Sequence, residues 1–174
     1  MKLRLFCLAG TVALLGACAT APKPLQGTFT PVTPQDAVAN TAQVGAQVRW
    51  GGRIIETTPG PDKTCFQLVS RPLTGTGRPS SDSPDATQGR FLACRAGFYD
   101  PAVFEPGRDV TFVGRVEGYE VTRIGEYDAR LPKLAADVVY LWPVVREVEV
   151  IGSPWYDPWY GPYWGPRWGY WGWW

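Results

Sequence analysis

Apolar and polar residues alternate with a period of two in several short stretches of this chain. This alternation predicts half-buried β-strands, because successive side chains of a strand point to opposite faces of a sheet. The stretch from Val48 to Glu56 also contains Gly51 and Gly52, which indicate a bulge or a sharp bend. The predicted strands are residues 48–56, 65–69, 90–98, 109–117 and 138–150, the last of them interrupted by Pro143.

Turn-forming residues separate these strands. Residues 59–62 predict a tight turn, and residues 70–89 predict a long loop rich in Gly, Pro, Ser and Thr. Residues 100–107 predict a short helical turn with Pro101 at its first position, and residues 34–38 predict another. Five strands with a helical piece between the third and the fourth follow the order of an OB-fold. We therefore predict an all-β protein, a small five-stranded OB-like barrel, with a β-sandwich as the alternative.

The first residues have the pattern of a bacterial lipoprotein signal. Lys2 and Arg4 precede an apolar run that ends in Leu15-Gly16-Ala17-Cys18. The run is shorter than the roughly 20 apolar residues that span a bilayer. We predict that residues 1–17 are removed by the lipoprotein processing machinery and that Cys18 receives the lipid. An ordinary signal peptidase site near Ala17, Ala19 or Ala21 is the alternative.

Lipid on Cys18 predicts where the protein is located. Three acyl chains give an effectively permanent anchor, since each buried methylene contributes about 0.8 kcal/mol. The residue after the cysteine is Ala19 rather than Asp, which in enteric bacteria directs sorting to the outer membrane. We expect the mature protein on the periplasmic face of the outer membrane, with outer membrane lipid as a partner. Residues 18–45 then form a flexible lipidated tether, residues 46–152 the β-barrel domain and residues 153–174 a low-complexity tail.

Composition narrows the range of functions. The signal carries two of the 17 basic residues and none of the 16 acidic ones, so the mature chain is almost neutral and nucleic acid is not an expected partner. The chain has no histidine, which excludes a Ser-His-Asp centre. We predict no catalytic residue, no metal and no cofactor apart from the covalent lipid on Cys18. A glycan hydrolase using carboxylates such as Glu147 and Glu149 is the enzymatic alternative.

Two cysteines remain in the mature chain besides Cys18. If the second and third strands pair across the 70–89 loop, Cys65 faces Cys94, Gln67 faces Leu92 and Val69 faces Arg90. In an oxidising periplasm we expect a Cys65–Cys94 disulfide, with two buried free thiols as the alternative.

The C-terminal tail is strongly aromatic. Residues 153–174 hold seven of the nine tryptophans, and their regular Pro and Gly oppose a helix, so we expect a disordered or loosely docked tail. The indoles suit a membrane interface, stacking on the sugars of peptidoglycan or lipopolysaccharide, or contact with another envelope protein. A low-complexity extension without a defined role is the remaining interpretation. The candidate contact residues are Trp155, Trp159, Trp164, Trp168, Trp171, Trp173 and Trp174.

An ordered set of short motifs carries a family resemblance over roughly residues 15–145. After the lipobox these motifs occupy residues 48–52, 71–73, 77–79, 89–93, 97–101, 107–108, 113–115 and 140–143. Together they resemble the Slp family of Gram-negative outer-membrane lipoproteins. The resemblance implies an outer-membrane lipoprotein linked to starvation or stress, without an established enzymatic activity. It supplies no catalytic residues, so we expect a non-catalytic binding or scaffolding role in the envelope.

Overall fold

The computed structural model describes residues 20–82 and 85–144. Its strands, named β1 to β5 in chain order, are Gln47–Pro59, Lys63–Ser70, Arg90–Ala96, Asp109–Ile124 and Tyr127–Leu141. One α-helix, α1, spans Pro34–Ala39 and is flanked by the 3-10 turns Lys23–Leu25 and Thr41–Gln43.

The five strands form a closed barrel in the order β1-β2-β3-β5-β4. All neighbours are antiparallel except β3 and β5, which pair in parallel over three residues of each strand. The sheet closes because the first half of β1 pairs with the first half of β4, Arg53 lying opposite Asp109. This order is that of an OB-fold, so the predicted small five-stranded barrel is confirmed.

Aromatic side chains fill the inside of the barrel. Phe66, Phe91 and Phe112 are fully buried, and the ring centroids of Phe66 and Phe112 are 5.3 Å apart. Glycine lets neighbouring strands come close beside this core. A Cβ at Gly52 would overlap the carbonyl oxygen of Val69, and β1 bulges shortly afterwards, between Ile54 and Glu56.

The fifth strand differs most from its prediction. We expected residues 138–150, but β5 starts at Tyr127 and ends at Leu141, and residues 145–150 lie outside the described part. The fourth strand likewise continues beyond residue 117 to Ile124. Bulges in β4 shift its register against β5, and charged residues occupy both faces of the hairpin beyond them. Period-two alternation is therefore lost although the strands continue.

The capped helical turn predicted at residues 100–107 is present as one turn and does not extend into a helix. Asp100 accepts the backbone N–H groups of Val103 and Phe104, and its carboxylate accepts that of Ala102, so the segment forms a single capped turn. The helix predicted at residues 34–38 is confirmed as α1. Thr33 caps it through a reciprocal capping box with Asp36.

The prediction of a flexible tether over residues 18–45 does not hold for residues 20–45. Leu25 and Ala37 are fully buried, and Ala37 belongs to the main core of the barrel. The backbone N–H of Thr30 donates to Gln47, and that of Gly45 donates to Val116. Proline and small residues suggest a spacer here, but Leu25, Pro34 and Ala37 of this segment are buried against the barrel.

Candidate functional site

The clearest concave feature is a groove of about 600 Å³ on the outside of the barrel. It lies over β2 and β3, between the β1–β2 hairpin and the β4–β5 hairpin. In OB-fold proteins this face and these two hairpin loops carry ligands. The lining side chains come from four strands and one turn: Glu56, Thr58, Pro61, Asp62, Lys63, Cys65, Gln67, Leu92, Cys94, Glu120 and Thr122.

The floor of the groove is formed by a disulfide. Cys65 and Cys94 are bonded and lie directly opposite each other on β2 and β3. The pairing of Gln67 with Leu92 is also as predicted, so both the register and the disulfide are confirmed. Because both cysteines point away from the core, the bond also forms part of the surface that a ligand would touch.

The β4–β5 hairpin forms one wall of the groove. Its Ala129 and Leu131 pack with Leu92 of β3 in a small apolar cluster separate from the main core. On the same hairpin Lys133 Nζ donates to Glu120 Oε2 at 2.8 Å. This hydrogen bond raises the pKa of Lys133 above its usual value, and the negative charge adds to the effect. The wall is thus stabilised both by the apolar contacts of Ala129 and Leu131 and by the Lys133–Glu120 ion pair.

Acidic side chains dominate the rim of the groove. Glu56, Asp62 and Glu120 face it from three directions, with Lys63 as the single basic lining residue among those described. All four are solvent-exposed. The groove therefore combines an apolar floor with a negative rim, which favours an extended ligand with apolar and basic groups.

A second distinctive face lies where the N-terminal segment docks. Leu25 packs with Val113 and Trp142, and Ala21 and Phe29 pack against the same cluster. Arg49 donates to the carbonyl oxygen of Leu25 at 2.8 Å and stacks over the ring of Phe29. The loop that follows β2 closes over this face, because Thr111 Oγ1 donates to the carbonyl oxygen of Gly77 at 2.7 Å.

Two arginines, Arg53 and Arg78, flank the carboxylate of Asp109 beside this docked segment, and Arg108 precedes it in the chain. We call these four residues the arginine cluster. Arg53 and Arg78 approach the carboxylate at 3.8 and 3.6 Å. Arg78 also lies over the ring of Trp142, and Arg108 donates to the Trp142 carbonyl oxygen. The sequence showed these arginines only as scattered charges, since they come from different strands and loops.

The remaining predicted site residues are outside the described part of the chain. This holds for Cys18, for Glu147 and Glu149, and for the tail tryptophans Trp155, Trp159, Trp164, Trp168, Trp171, Trp173 and Trp174. Within residues 20–82 and 85–144 no group of three or more Cys, Asp and Glu residues could hold a metal ion. No helix in those ranges has the length and apolar content to cross a bilayer.

Comparison with known proteins agrees with the lipoprotein signal. A family described as the outer membrane lipoprotein Slp family matches residues 15–173. The uncharacterized lipoprotein YeaY of Escherichia coli K12 is 32% identical over 152 residues, which cover 84% of this chain and 77% of YeaY. The outer membrane protein Slp of the same strain is 29% identical over 146 residues, covering 82% and 76%. An uncharacterized protein of Haemophilus influenzae is 28% identical over 148 residues, covering 81% and 76%.

These likenesses define the class as outer-membrane lipoproteins. The chain belongs to the outer membrane lipoprotein Slp family. The resemblance seen in the sequence motifs and the outer-membrane location predicted from the lipobox are thereby confirmed. No solved structure matches this chain.

Proposed function

We propose that this lipoprotein is a non-catalytic binding protein on the periplasmic face of the outer membrane, anchored through lipid on Cys18. Its groove holds an extended segment of another envelope protein. The observation that carries this proposal is the groove itself, with an apolar floor of Leu92 and the disulfide under a rim of exposed carboxylates.

The chemistry of the groove supports binding rather than catalysis. The chain has no histidine to act as a general base near neutral pH. Glu120 is held by Lys133, and Glu56 and Asp62 are exposed to solvent, so the rim lacks the buried carboxyl pair that glycan hydrolysis uses. The hydrolase alternative with Glu147 and Glu149 receives no support from this groove.

A polypeptide fits the groove better than a sugar does. Carbohydrate sites commonly present flat aromatic faces, whereas the only aromatic residue among those lining the groove is Phe66, and its side chain is fully buried. Apolar side chains of a partner could cover Leu92 while its basic residues face the rim. Peptidoglycan or lipopolysaccharide is the second candidate, because the tail holds seven tryptophans able to stack on sugar rings.

Binding of labelled ten-residue peptides to the full mature protein tests the charge pattern. Fluorescence anisotropy would compare a peptide of alternating valine and lysine with its valine–glutamate counterpart. We expect the lysine peptide to bind more tightly. The double variant Glu56→Lys/Asp62→Lys should weaken its binding roughly ten-fold, because each exposed charge pair is worth up to about 1 kcal/mol.

A matched control separates the groove from the general charge of the protein. Glu126→Lys/Asp128→Lys makes the same change in charge on the β4–β5 hairpin, at residues that do not line the groove. It should leave binding nearly unchanged. Equal loss in both variants, or no preference for lysine, would overturn the groove proposal. Binding of soluble peptidoglycan fragments that disappears when residues 153–174 are deleted would favour the sugar-binding candidate instead.

A further inference from the structure

The docked N-terminal segment leaves almost no slack between the lipid and the barrel. Ala21 packs against the cluster of Leu25, Val113 and Trp142, and its carbonyl oxygen accepts a hydrogen bond from Gln26 at 2.7 Å. Three residues lead from Cys18 to Ala21, and an extended chain covers at most about 3.6 Å per residue. The lipidated cysteine is therefore within about 11 Å of this face of the barrel.

The same face carries the arginine cluster. Arg78 lies over Trp142, whose ring packs with Leu25, and Arg108 donates to the carbonyl oxygen of the same tryptophan. The cluster contains three guanidinium groups and one carboxylate, so its four side chains carry a net charge of +2, with Arg53 and Arg78 on either side of Asp109. Lys23, exposed on the docked segment, adds a further positive charge nearby.

The guanidinium groups keep donors available for a ligand. Arg53 and Arg78 approach Asp109 at 3.8 and 3.6 Å, which is longer than a hydrogen bond, and Asp109 Oδ1 has no hydrogen-bond partner. Each guanidinium has five N–H donors. The described bonds of Arg78 and Arg108 are directed to the backbone carbonyls of Pro143, Val103 and Trp142. Phosphate oxygens would match the donors that remain.

We propose that the arginine cluster rests on the phosphates of anionic phospholipids and orients the barrel on the bilayer. The inference depends on the lipid at Cys18, which is part of the proposed function. The short anchor brings this face to the headgroups, and the charge complements an anionic surface. The tip of the β4–β5 hairpin, at the far end of β4 from Asp109, is then expected away from the membrane.

The expected role of the cluster is orientation rather than affinity. A basic residue close to an anionic bilayer contributes on the order of 1 kcal/mol. Triacylation alone already makes attachment permanent on the time scale of an experiment. The test must therefore report which part of the barrel touches the lipid, and not only whether the protein is bound.

Lipid quenching of a fluorescent amino acid reports this contact. The full lipidated protein would carry the fluorophore either at Thr74, whose backbone N–H donates to Arg78, or at Glu126, beyond the far end of β4. The vesicles would contain phosphatidylethanolamine and phosphatidylglycerol, with nitroxide-labelled headgroups. We expect strong quenching at Thr74 and weak quenching at Glu126. Replacing phosphatidylglycerol by phosphatidylcholine should lower the Thr74 signal without any mutation.

Charge variants complete the test. Arg53→Gln/Arg78→Gln should reduce quenching at Thr74 several-fold, whereas Lys63→Gln/Arg123→Gln, which removes the same charge from the two hairpins, should not. Flotation on a density gradient measures attachment separately. A protein that fails to float overturns the lipid anchor and the inference with it. A protein that floats but shows equal quenching at both positions overturns the orientation alone.

Discussion

Two regions of the barrel surface are built differently, and we call them the covered region and the open region. In the covered region the N-terminal segment and the 70–80 loop lie over the strands, and Arg53 and Arg78 approach Asp109. In the open region, which is the groove, carboxylates form a rim and a disulfide forms the floor. The covered region is suited to fixing the position of the protein. The open region is suited to receiving a partner, so anchoring and binding need not compete for the same surface.

The largest loss of stability is expected from a change in the open region. Replacing both Cys65 and Cys94 by Ala removes a bond that closes a loop with a sequence separation of 29 residues. This should lower the free energy of unfolding by about 3–4 kcal/mol, because the unfolded chain regains the entropy of that loop. Urea denaturation with and without reductant measures the loss. An unchanged midpoint in reductant would show that the disulfide contributes nothing to the fold.

A smaller loss of stability is expected from a substitution in the covered region. Leu25→Ala leaves a cavity beside Val113 and Trp142, and should cost about 2–3 kcal/mol, since the peripheral segment can partly relax. Hydrogen exchange should rise in residues 21–30 and stay unchanged around the groove. Val44→Ala, at an exposed position of the same segment, is the matched control. Equal effects of the two variants would contradict the docking of this segment.

The capping box of α1 gives a finer measure of the same N-terminal segment. Thr33 Oγ1 accepts the backbone N–H of Asp36 at 3.1 Å, and the Asp36 carboxylate accepts the N–H of Thr33. Thr33→Ala should cost about 1 kcal/mol in thermal or urea unfolding. Thr33→Ser keeps the capping oxygen and should restore most of that loss. If serine behaves like alanine, the cap does not contribute through its hydroxyl.

The smallest effect concerns the ion pair on the groove wall. A double-mutant cycle with Glu120→Gln and Lys133→Met should give a coupling energy of about 0.2–1 kcal/mol at neutral pH, because the pair is partly exposed. Since the pKa of Lys133 is raised from 10.5, the coupling is fully present below that pH and disappears as the pH rises through the folded value. Coupling that persists in strong alkali would contradict this assignment.

Much of the barrel could be predicted from alternation alone. Strands β1 to β3 were located to within a few residues, and the register that pairs Cys65 with Cys94 followed from the spacing around one loop. The full length of the β4–β5 hairpin was not predicted, because bulges break its alternation and charged residues line both of its faces. Hydrophobic alternation reflects the burial of one face of a strand, and a projecting hairpin buries little of either face.

The groove and the arginine cluster were both missed for a related reason. The cluster joins Arg53 of β1, Arg78 of a loop and residues 108–109 before and within β4, and nothing local links them. We predicted a spacer over the docked segment because it is rich in proline and small residues, and that composition does not show that Leu25 and Ala37 are buried. Only the fold brings these positions together.

The hydrogen bond of the Trp50 indole indicates where a recombinant fragment of this domain should begin. Its Nε1–H, on a side chain that is 4% exposed, donates to the carbonyl oxygen of Val32 at 2.7 Å. A recombinant fragment starting at β1 would lose that acceptor together with the segment that holds it against the indole. It would also strip Ala37 from the core. A fragment for biochemical work should therefore begin near residue 20, with the whole entering segment retained.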